Sequence, residues 1–180
     1  PCDAKAVKLV KMNFDTKEYR DPYWMDAYDA TTFVGLACDT PGPECFCTST
    51  GCGPYNEEGM DVLLVDNGDS YIAKVLTEKG EKLMAATGFT DEGDASVIDA
   101  KKSEAESKIT KLIETDKLSD KVIMDLYDSS FWDELSFSCI NCCTCTYACP
   151  TCWCFDIQDE NKGLKGVRMR NWDSCMTPLF

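Results

Sequence analysis

The spacing of apolar residues in the first half of the chain predicts a small domain that mixes helices and strands. Apolar positions three or four residues apart favour a helix, whereas short β-rich runs bounded by turn residues favour strands. The predicted elements are a helix at 4–14, a buried strand at 31–37, two hairpin strands at 61–65 and 71–76, and a helix at 78–86 that ends before Gly88. The aromatic-rich segment 21–30 fits either class.

The second half of the chain has a different pattern. Residues 94–116 are charged, lack aromatic side chains and have helical spacing, which predicts a long, solvated helix at a domain boundary. An amphipathic pattern at 118–132 predicts a second helix, which leads into a cluster of cysteines. Short strands are predicted at 155–158 and 166–172, with a turn at 161–163 between them.

These elements predict an α+β fold in three parts. Residues 1–92 would form the mixed α/β domain, 93–134 a helical linker, and 135–180 a ferredoxin-like iron–sulfur domain. The chain starts at Pro1 without a leader and ends on apolar residues without a tail. We therefore expect a fragment whose last domain is truncated at its C-terminus.

The charge balance excludes several classes of partner. The 180 residues include 18 Lys and Arg against 32 Asp and Glu, which gives a net charge of −14. Nucleic acids and anionic membranes both require positive charge, so neither is expected as a partner. The absence of histidine excludes imidazole bases and ligands. Residues 135–155 are uncharged, but Pro150, Asn141 and seven cysteines make a membrane span a poor interpretation.

The most specific motif lies among the 13 cysteines. The run Cys139-Ile-Asn-Cys142-Cys143-Thr-Cys145-Thr-Tyr-Ala-Cys149-Pro150 matches C-x₂-C-x₂-C-x₃-C-P, the pattern that holds a [4Fe–4S] cube. Thiolate is the soft ligand that such clusters require, and thiolates three residues apart can wrap one cube. Cys143 occupies a spacer position next to Cys142, so we leave it out of the ligand set.

Two ligand assignments remain open for this run. In two-cluster ferredoxins the fourth cysteine serves the other cluster. Cys149 would then join Cys152, Cys154 and Cys175, and the remaining thiols of the run would lack a fourth ligand. Alternatively, Cys149 completes the first cube, and the three later cysteines share another cube with a ligand from outside this chain.

A further site is predicted in the first half of the chain. Its candidate ligands are Cys2, Cys38, Cys45 and Cys47. Cys2 can contribute if the first helix starts beside the end of the strand at 31–37. Zinc is the alternative occupant of such a four-thiol cage. Cys52, within Gly51-Cys52-Gly53-Pro54, is interpreted as a bystander.

The same motifs resemble a known family. CINCCTCTYACPTCWCFDI and RMRNWDSCMTPLF are similar to segments of the iron–sulfur β subunit of sulfhydrogenases and of the A subunit of anaerobic sulfite reductase. PCD, DPYW, CDTPGPECFCTSTGCGP and EKG fit the same families. Family members usually continue into a second C-x₂-C-x₂-C-x₃-C-P run, which this sequence does not reach, and Cys52 departs from their pattern.

The resemblance implies an electron-carrying subunit of a hetero-oligomer. Its partners would be a flavin subunit that uses NAD(P)H and a catalytic redox subunit, such as a hydrogenase, a sulfite reductase or a heterodisulfide-reductase-like enzyme. Two or three [4Fe–4S] clusters would relay single electrons in an anaerobic cytoplasm. No independent active site is expected. The alternatives are a zinc-binding interaction module and a cluster-dependent enzyme with an open iron site.

Two groups of side chains are expected to support the clusters. Ile140, Tyr147, Trp153 and Phe155 would form an apolar wall that excludes water. The basic stretch of an otherwise acidic chain comprises Lys162, Lys165, Arg168 and Arg170. These cations would offset cluster charge or dock a partner, or would simply form the solvated face of a hairpin.

Overall fold

The computed structural model describes residues 1–89, 92–115, 120 and 126–177. The chain divides into two compact units, Pro1–Leu118 and Ser119–Phe180. The three-part division with bounds at 92 and 134 stays a prediction. Much of the predicted helix at 118–132 lies outside the described residues. Within the described parts of the chain, no helix combines the length and the apolar character needed to cross a membrane.

The described part of the first unit contains four α-helices, three strands and one 3₁₀ helix. In chain order they are α1 (Cys2–Phe14), α2 (Pro22–Ala30), β1 (Val34–Leu36), the 3₁₀ helix (Cys47–Thr50), β2 (Val62–Asp66), β3 (Tyr71–Val75), α3 (Glu78–Thr87) and α4 (Ala95–Ser107). The predicted helices at 4–14 and 78–86 and the predicted hairpin are confirmed. The aromatic-rich segment forms α2, because Asp21 caps it by accepting a hydrogen bond from the Trp24 amide at 2.9 Å and Pro22 opens its first turn.

The three strands form one sheet in the order β1-β2-β3. β2 runs parallel to β1 and antiparallel to β3. As the central strand it carries the fully buried core residues Val62, Leu63 and Val65. The prediction of a buried strand at 31–37 is wrong in part, because β1 is shorter and lies at the sheet edge, where Val34 and Leu36 are about half exposed.

Helix α4 corrects a second prediction. It ends at Ser107 rather than near 116, and it is not a wholly solvated helix. Ala105 is buried in the core cluster with Tyr55, Met60, Leu63 and other residues of the first unit. A small residue allows the helix backbone to approach the core closely, so a stretch of modest hydropathy still packs.

Within its described residues, the second unit contains two short helices and a hairpin. α5 (Phe131–Ser136) and α6 (Thr144–Ala148) precede β4 (Phe155–Lys162) and β5 (Lys165–Trp172). The strands pair antiparallel from Phe155 opposite Trp172 to Lys162 opposite Lys165. Both predicted strands are confirmed but are longer, and the turn is moved to Gly163 and Leu164, where Gly163 has φ of 65°. The predicted α+β class is confirmed.

Candidate iron–sulfur centres

Five thiols surround a cavity of about 420 Å³ in the first unit. They belong to Cys2, Cys38, Cys45, Cys47 and Cys52. The fold therefore brings together all four thiols that the sequence predicted for this site, although their positions in the chain differ by up to 45 residues. All thirteen cysteines of the chain lie in its described part and are free of disulfide bonds. Thiols directed at a shared cavity are the donor set that an iron–sulfur cluster needs.

The positions of these thiols follow from the sheet and α1. Cys2 opens α1, and Cys38 follows β1, whose end is held by the Ala37 amide donating to the Leu64 carbonyl at 2.8 Å. Cys47 opens the 3₁₀ helix, and the Cys52 amide donates to the Cys47 carbonyl at 3.0 Å. This turn places Cys52 at the cavity. The interpretation of Cys52 as a bystander rather than a ligand stays a prediction.

Repulsion between the negative charges of their thiolates indicates that these cysteines lie close together. Burial raises the pKa of the Cys38 thiol, and negative charge on Cys45 and Cys2 raises it further. Burial likewise raises the pKa of Cys47, with further contributions from Cys52, Cys45 and Cys2. Several thiolates in one desolvated space require compensating positive charge, which the iron ions of a cluster supply.

The rest of the cavity wall is mostly apolar. Ala6 and Leu9 of α1 line it together with Phe46. Lys5 is at the same wall, where its ammonium group donates to the Gly51 carbonyl at 2.7 Å and lies 3.6 Å from a Glu58 carboxylate oxygen. Lys5 therefore ties α1 to the turn that carries Cys52 and places a positive charge near the thiols.

Helix α4 and the residues after it contact the loop that carries the cysteines. Lys101 bonds the Asp39 carboxylate at 2.9 Å, and Lys108 donates to the Asp39 carbonyl at 3.1 Å. The Ile113 amide donates to the Ser49 hydroxyl at 3.0 Å. These contacts cross more than sixty residues of sequence and fix the loop against the core.

In the second unit, the loop of the C-x₂-C-x₂-C motif turns backbone and side-chain donors toward sulfur. The Asn141 amide donates to Cys139 Sγ at 3.4 Å, and Asn141 and Cys143 adopt left-handed φ values of 54° and 57°. Thr144 Oγ1 lies 3.2 Å from Cys142 Sγ. Hydrogen bonds from the Thr144 side chain and backbone hold the pKa of the Cys142 thiol below its ordinary value. The thiolate that iron requires is therefore favoured here.

A second cavity, of about 410 Å³, lies beside this loop. Four thiols line it, from Cys143, Cys152, Cys154 and Cys175. The Asp173 amide donates to the Cys154 carbonyl at 3.0 Å, which brings the Cys175 segment back to the hairpin base.

The thiols around Cys152 form one interacting group. A hydrogen bond with the Cys149 thiol, desolvation and the charges of Cys149, Cys175 and Cys154 together raise the pKa of Cys152 to about 11. Desolvation and a hydrogen bond with Cys154 raise the pKa of Cys175. The charge of Cys145, from the first run, also raises the pKa of Cys175, so thiols of both runs interact here. The assignment in which Cys149 joins the later cysteines stays a prediction.

The supporting side chains only partly match expectation. Trp153 and Phe155 pack edge-on against Trp172, with ring centroids 5.1 and 6.3 Å apart. Ile140 is 85% exposed and lines neither cavity, whereas Tyr147 lines the second cavity although it is 94% exposed. Their sequence context in a cysteine loop gave no indication of burial.

The two arginines of the predicted basic stretch make different contacts within the hairpin. Arg168 forms two hydrogen bonds of 2.7 Å to the Asp159 carboxylate across the hairpin. Arg170 lies over the Phe155 ring, 5.1 Å from its centroid. These two cations therefore have partners within the hairpin.

The thiols line cavities and do not converge on a position that one metal ion could occupy. Among the described residues, no three Cys, Asp or Glu side chains converge closely enough to hold a single metal ion. A cube of four iron and four sulfide ions is larger than one ion, so its ligands are farther apart. The two thiol-lined cavities and the donors directed at sulfur fit such a group.

Comparison with known proteins gives two matches. Residues 138–180 match the family model described as a 4Fe-4S dicluster domain. The predicted resemblance is confirmed. The whole chain is similar to the protein named Sulfhydrogenase 2 subunit beta of Pyrococcus furiosus, with 28% identity over 183 aligned residues that cover 98% of this chain and 53% of the relative. The chain thus spans about half the length of the curated relative it matches. No solved structure matches the chain.

The family match defines the type of cofactor. A 4Fe-4S dicluster domain at 138–180 covers all eight cysteines of the second unit and makes the last region of the chain ferredoxin-like. The predicted [4Fe–4S] cofactor is therefore supported for this region. The match does not extend to the thiols of the first cavity.

Proposed function

We propose that this chain is an electron-transfer subunit that carries [4Fe–4S] clusters within an anaerobic redox complex. The observation that carries the proposal is the placement of soft thiol ligands around two cavities, one of them within the matched dicluster domain. The name of the relative supports a sulfhydrogenase-like complex. The partners in this proposal are a flavin subunit that uses NAD(P)H and a catalytic redox subunit, in a hetero-oligomer of the cytoplasm.

The proposed ligand sets follow the grouping of the thiols. Cys2, Cys38, Cys45 and Cys47 would hold one cluster at the first cavity. Cys149, Cys152, Cys154 and Cys175 would hold a second. Cys139, Cys142 and Cys145 would supply three ligands to a third, as the motif spacing requires. Two or three clusters per chain are therefore proposed.

The chain's own residues act by holding and tuning these groups. A bound [4Fe–4S] cluster supplies a one-electron couple with little change in geometry. The thiolates fix its position, and the apolar wall of the first cavity limits the access of water. Amide and hydroxyl donors at sulfur adjust the charge that the ligands carry. We propose no substrate-binding or catalytic residues in this chain.

Metal analysis of anaerobically purified protein tests the proposal. We expect brown protein with about eight to twelve iron ions and a matching amount of acid-labile sulfide per chain. Cys142→Ser should reduce the iron content or alter the EPR spectrum of one cluster. Cys143→Ser, in the same loop, tests whether this thiol at the second cavity is also a ligand. Unchanged iron content and an unchanged spectrum would leave it outside the ligand set. Colourless protein that contains zinc and no sulfide would establish the zinc module instead.

A further inference from the structure

Two threonine hydroxyls in the second unit are directed at the sulfurs of proposed ligands. Thr144 Oγ1 lies 3.2 Å from Cys142 Sγ, and Thr151 Oγ1 lies 3.1 Å from Cys149 Sγ. Each threonine follows its cysteine by two residues. A Cys-x-Thr arrangement therefore occurs at one ligand of each of the two proposed clusters in this unit.

The direction of these hydrogen bonds follows from metal binding. In the free thiol either atom of the pair can donate. A cysteine bound to iron is a thiolate without a proton, so the threonine must then be the donor. Thr144 is the first residue of α6, and Thr151 follows Pro150 in the turn after it. Both side chains are therefore held by local backbone structure at their cysteines.

We propose that Thr144 and Thr151 are positioning residues that set the reduction potentials of two different clusters by donating hydrogen bonds to ligand sulfur. This inference rests on the proposed electron-transfer function. When a cluster accepts one electron, its sulfurs become more negative, and no bond forms or breaks. A donor at the sulfur stabilises the reduced cluster more than the oxidised one and raises its potential.

The two hydroxyls affect separate couples. In the proposed ligand sets Cys142 belongs to the three-thiol set, and Cys149 serves the other cluster, as the fourth cysteine of such a run does in two-cluster ferredoxins. The driving force for an electron that passes between the two clusters therefore depends on both threonines. A change at one alone alters this difference, whereas changes at both move the two potentials together.

Thr146 provides the control within the same helix. Its hydroxyl donates to the Cys143 carbonyl at 2.9 Å and lies 3.0 Å from Ser174 Oγ. These partners are structural, and neither is a ligand sulfur. A substitution at Thr146 therefore tests the effect of losing a hydroxyl from α6 without losing a bond to a proposed ligand.

Redox titration of the anaerobically purified full chain, followed by EPR, tests the proposal. Thr144→Val keeps the shape of the side chain and removes the donor. We expect the ratio of reduced to oxidised cluster at a fixed potential to fall about tenfold for one of the two couples, which is a shift of 59 mV for one electron. Thr151→Val should shift the other couple, and Thr144→Ser and Thr151→Ser should restore the original values.

The outcomes separate this inference from the proposed function. Absence of iron and sulfide from the unchanged protein contradicts the function itself. Intact clusters whose potentials are equal in the Val and Ser variants, or shift as much in Thr146→Val, overturn the role of the two hydroxyls. If a Val variant fails to assemble its cluster, deuterium couplings measured by pulsed EPR on the unchanged protein in D₂O decide. Lack of a hydroxyl deuteron near the ligand sulfur also overturns the proposal.

Discussion

The ammonium group of Lys101 lies 2.9 Å from the carboxylate of Asp39, the residue that follows Cys38. The Tyr55 hydroxyl donates to the same carboxylate, and Tyr55 is 3% exposed. The Asp39 side chain thus links helix α4, through Lys101, and the buried Tyr55 to the loop that carries Cys38. The stability of the first unit and the geometry of its thiol cavity are therefore coupled.

Removing the Lys101 cation should lower the stability of the first unit and disturb the geometry of its thiol cavity. We expect Lys101→Met to lower the free energy of unfolding only slightly, since both side chains are about one-third exposed and the ion pair is partly screened. Anaerobic urea unfolding measures the change, and iron retention measures the effect on the cavity. Lys102→Met, at the exposed neighbouring position on α4, should change neither. Equal effects of the two variants would contradict a specific role for the pair.

The hydroxyl of Tyr55 should make stability depend on alkaline pH. Burial, the hydrogen bond to Asp39 and the charge of Asp39 together raise the pKa of Tyr55. Because the folded state holds this proton more tightly, its contribution to stability is present below the unfolded pKa of about 10 and is lost as pH rises toward the folded value.

Comparison with Tyr55→Phe isolates this contribution. We expect the unfolding free energies of the two proteins to differ by a constant amount from pH 7 to about pH 9 and to converge above about pH 10. Anaerobic thermal or urea unfolding across this range measures both. A difference that stays constant at high pH would show that the folded state does not hold this proton more tightly than the unfolded state does.

The five-thiol cavity predicts which cysteines hold iron. We expect Cys45→Ser and Cys2→Ser each to lose about four iron ions per chain, because each removes one of four ligands of a cube. Cys52→Ser should retain all iron, as a fifth thiol is not needed. Iron and sulfide analysis after anaerobic purification measures this. Loss of iron in Cys52→Ser together with retention in Cys2→Ser would identify Cys52 as the fourth ligand.

The central strand should determine the stability of the first unit. Leu63 is fully buried on β2 between β1 and β3, so Leu63→Ala leaves a cavity and should cost about 2–5 kcal/mol. Leu36→Ala on the edge strand β1 is the control and should cost less than about 1 kcal/mol, since that side chain is about half exposed. Equal costs in urea unfolding would contradict the placement of β2 at the core.

The local sequence pattern predicted the helices and strands better than it predicted which of their residues are buried. The hairpin of β2 and β3 and the helix α3 followed from runs of residues close in sequence, with Gly88 at the end of α3 in a left-handed conformation, φ 76°. Burial was harder to predict. β1 was expected to be buried because it is apolar, but it has a single neighbour in the sheet, and α4 was expected to be solvated because it is charged, but Ala105 packs in the core.

The cysteine sites show the same division. The C-x₂-C-x₂-C spacing and its iron–sulfur chemistry could be predicted from the sequence, because thiolates three residues apart need only a local turn to face one cluster. The exposure of Tyr147 and the position of Cys52 at the first cavity could not be predicted in this way. Each depends on which other parts of the chain pack against the residue.

The sequence by itself determined the soft-ligand chemistry, the resemblance to iron–sulfur subunits and most helices and strands, because these depend on residue types and short spacings. Only the tertiary structure decided that Cys2 and Cys52 lie at the same cavity as Cys38, Cys45 and Cys47, and that Cys143 lies at the second cavity with Cys152, Cys154 and Cys175. Contacts between distant segments depend on how the sheet, the helices and the turns pack. That packing is a property of the whole chain rather than of any short pattern within it.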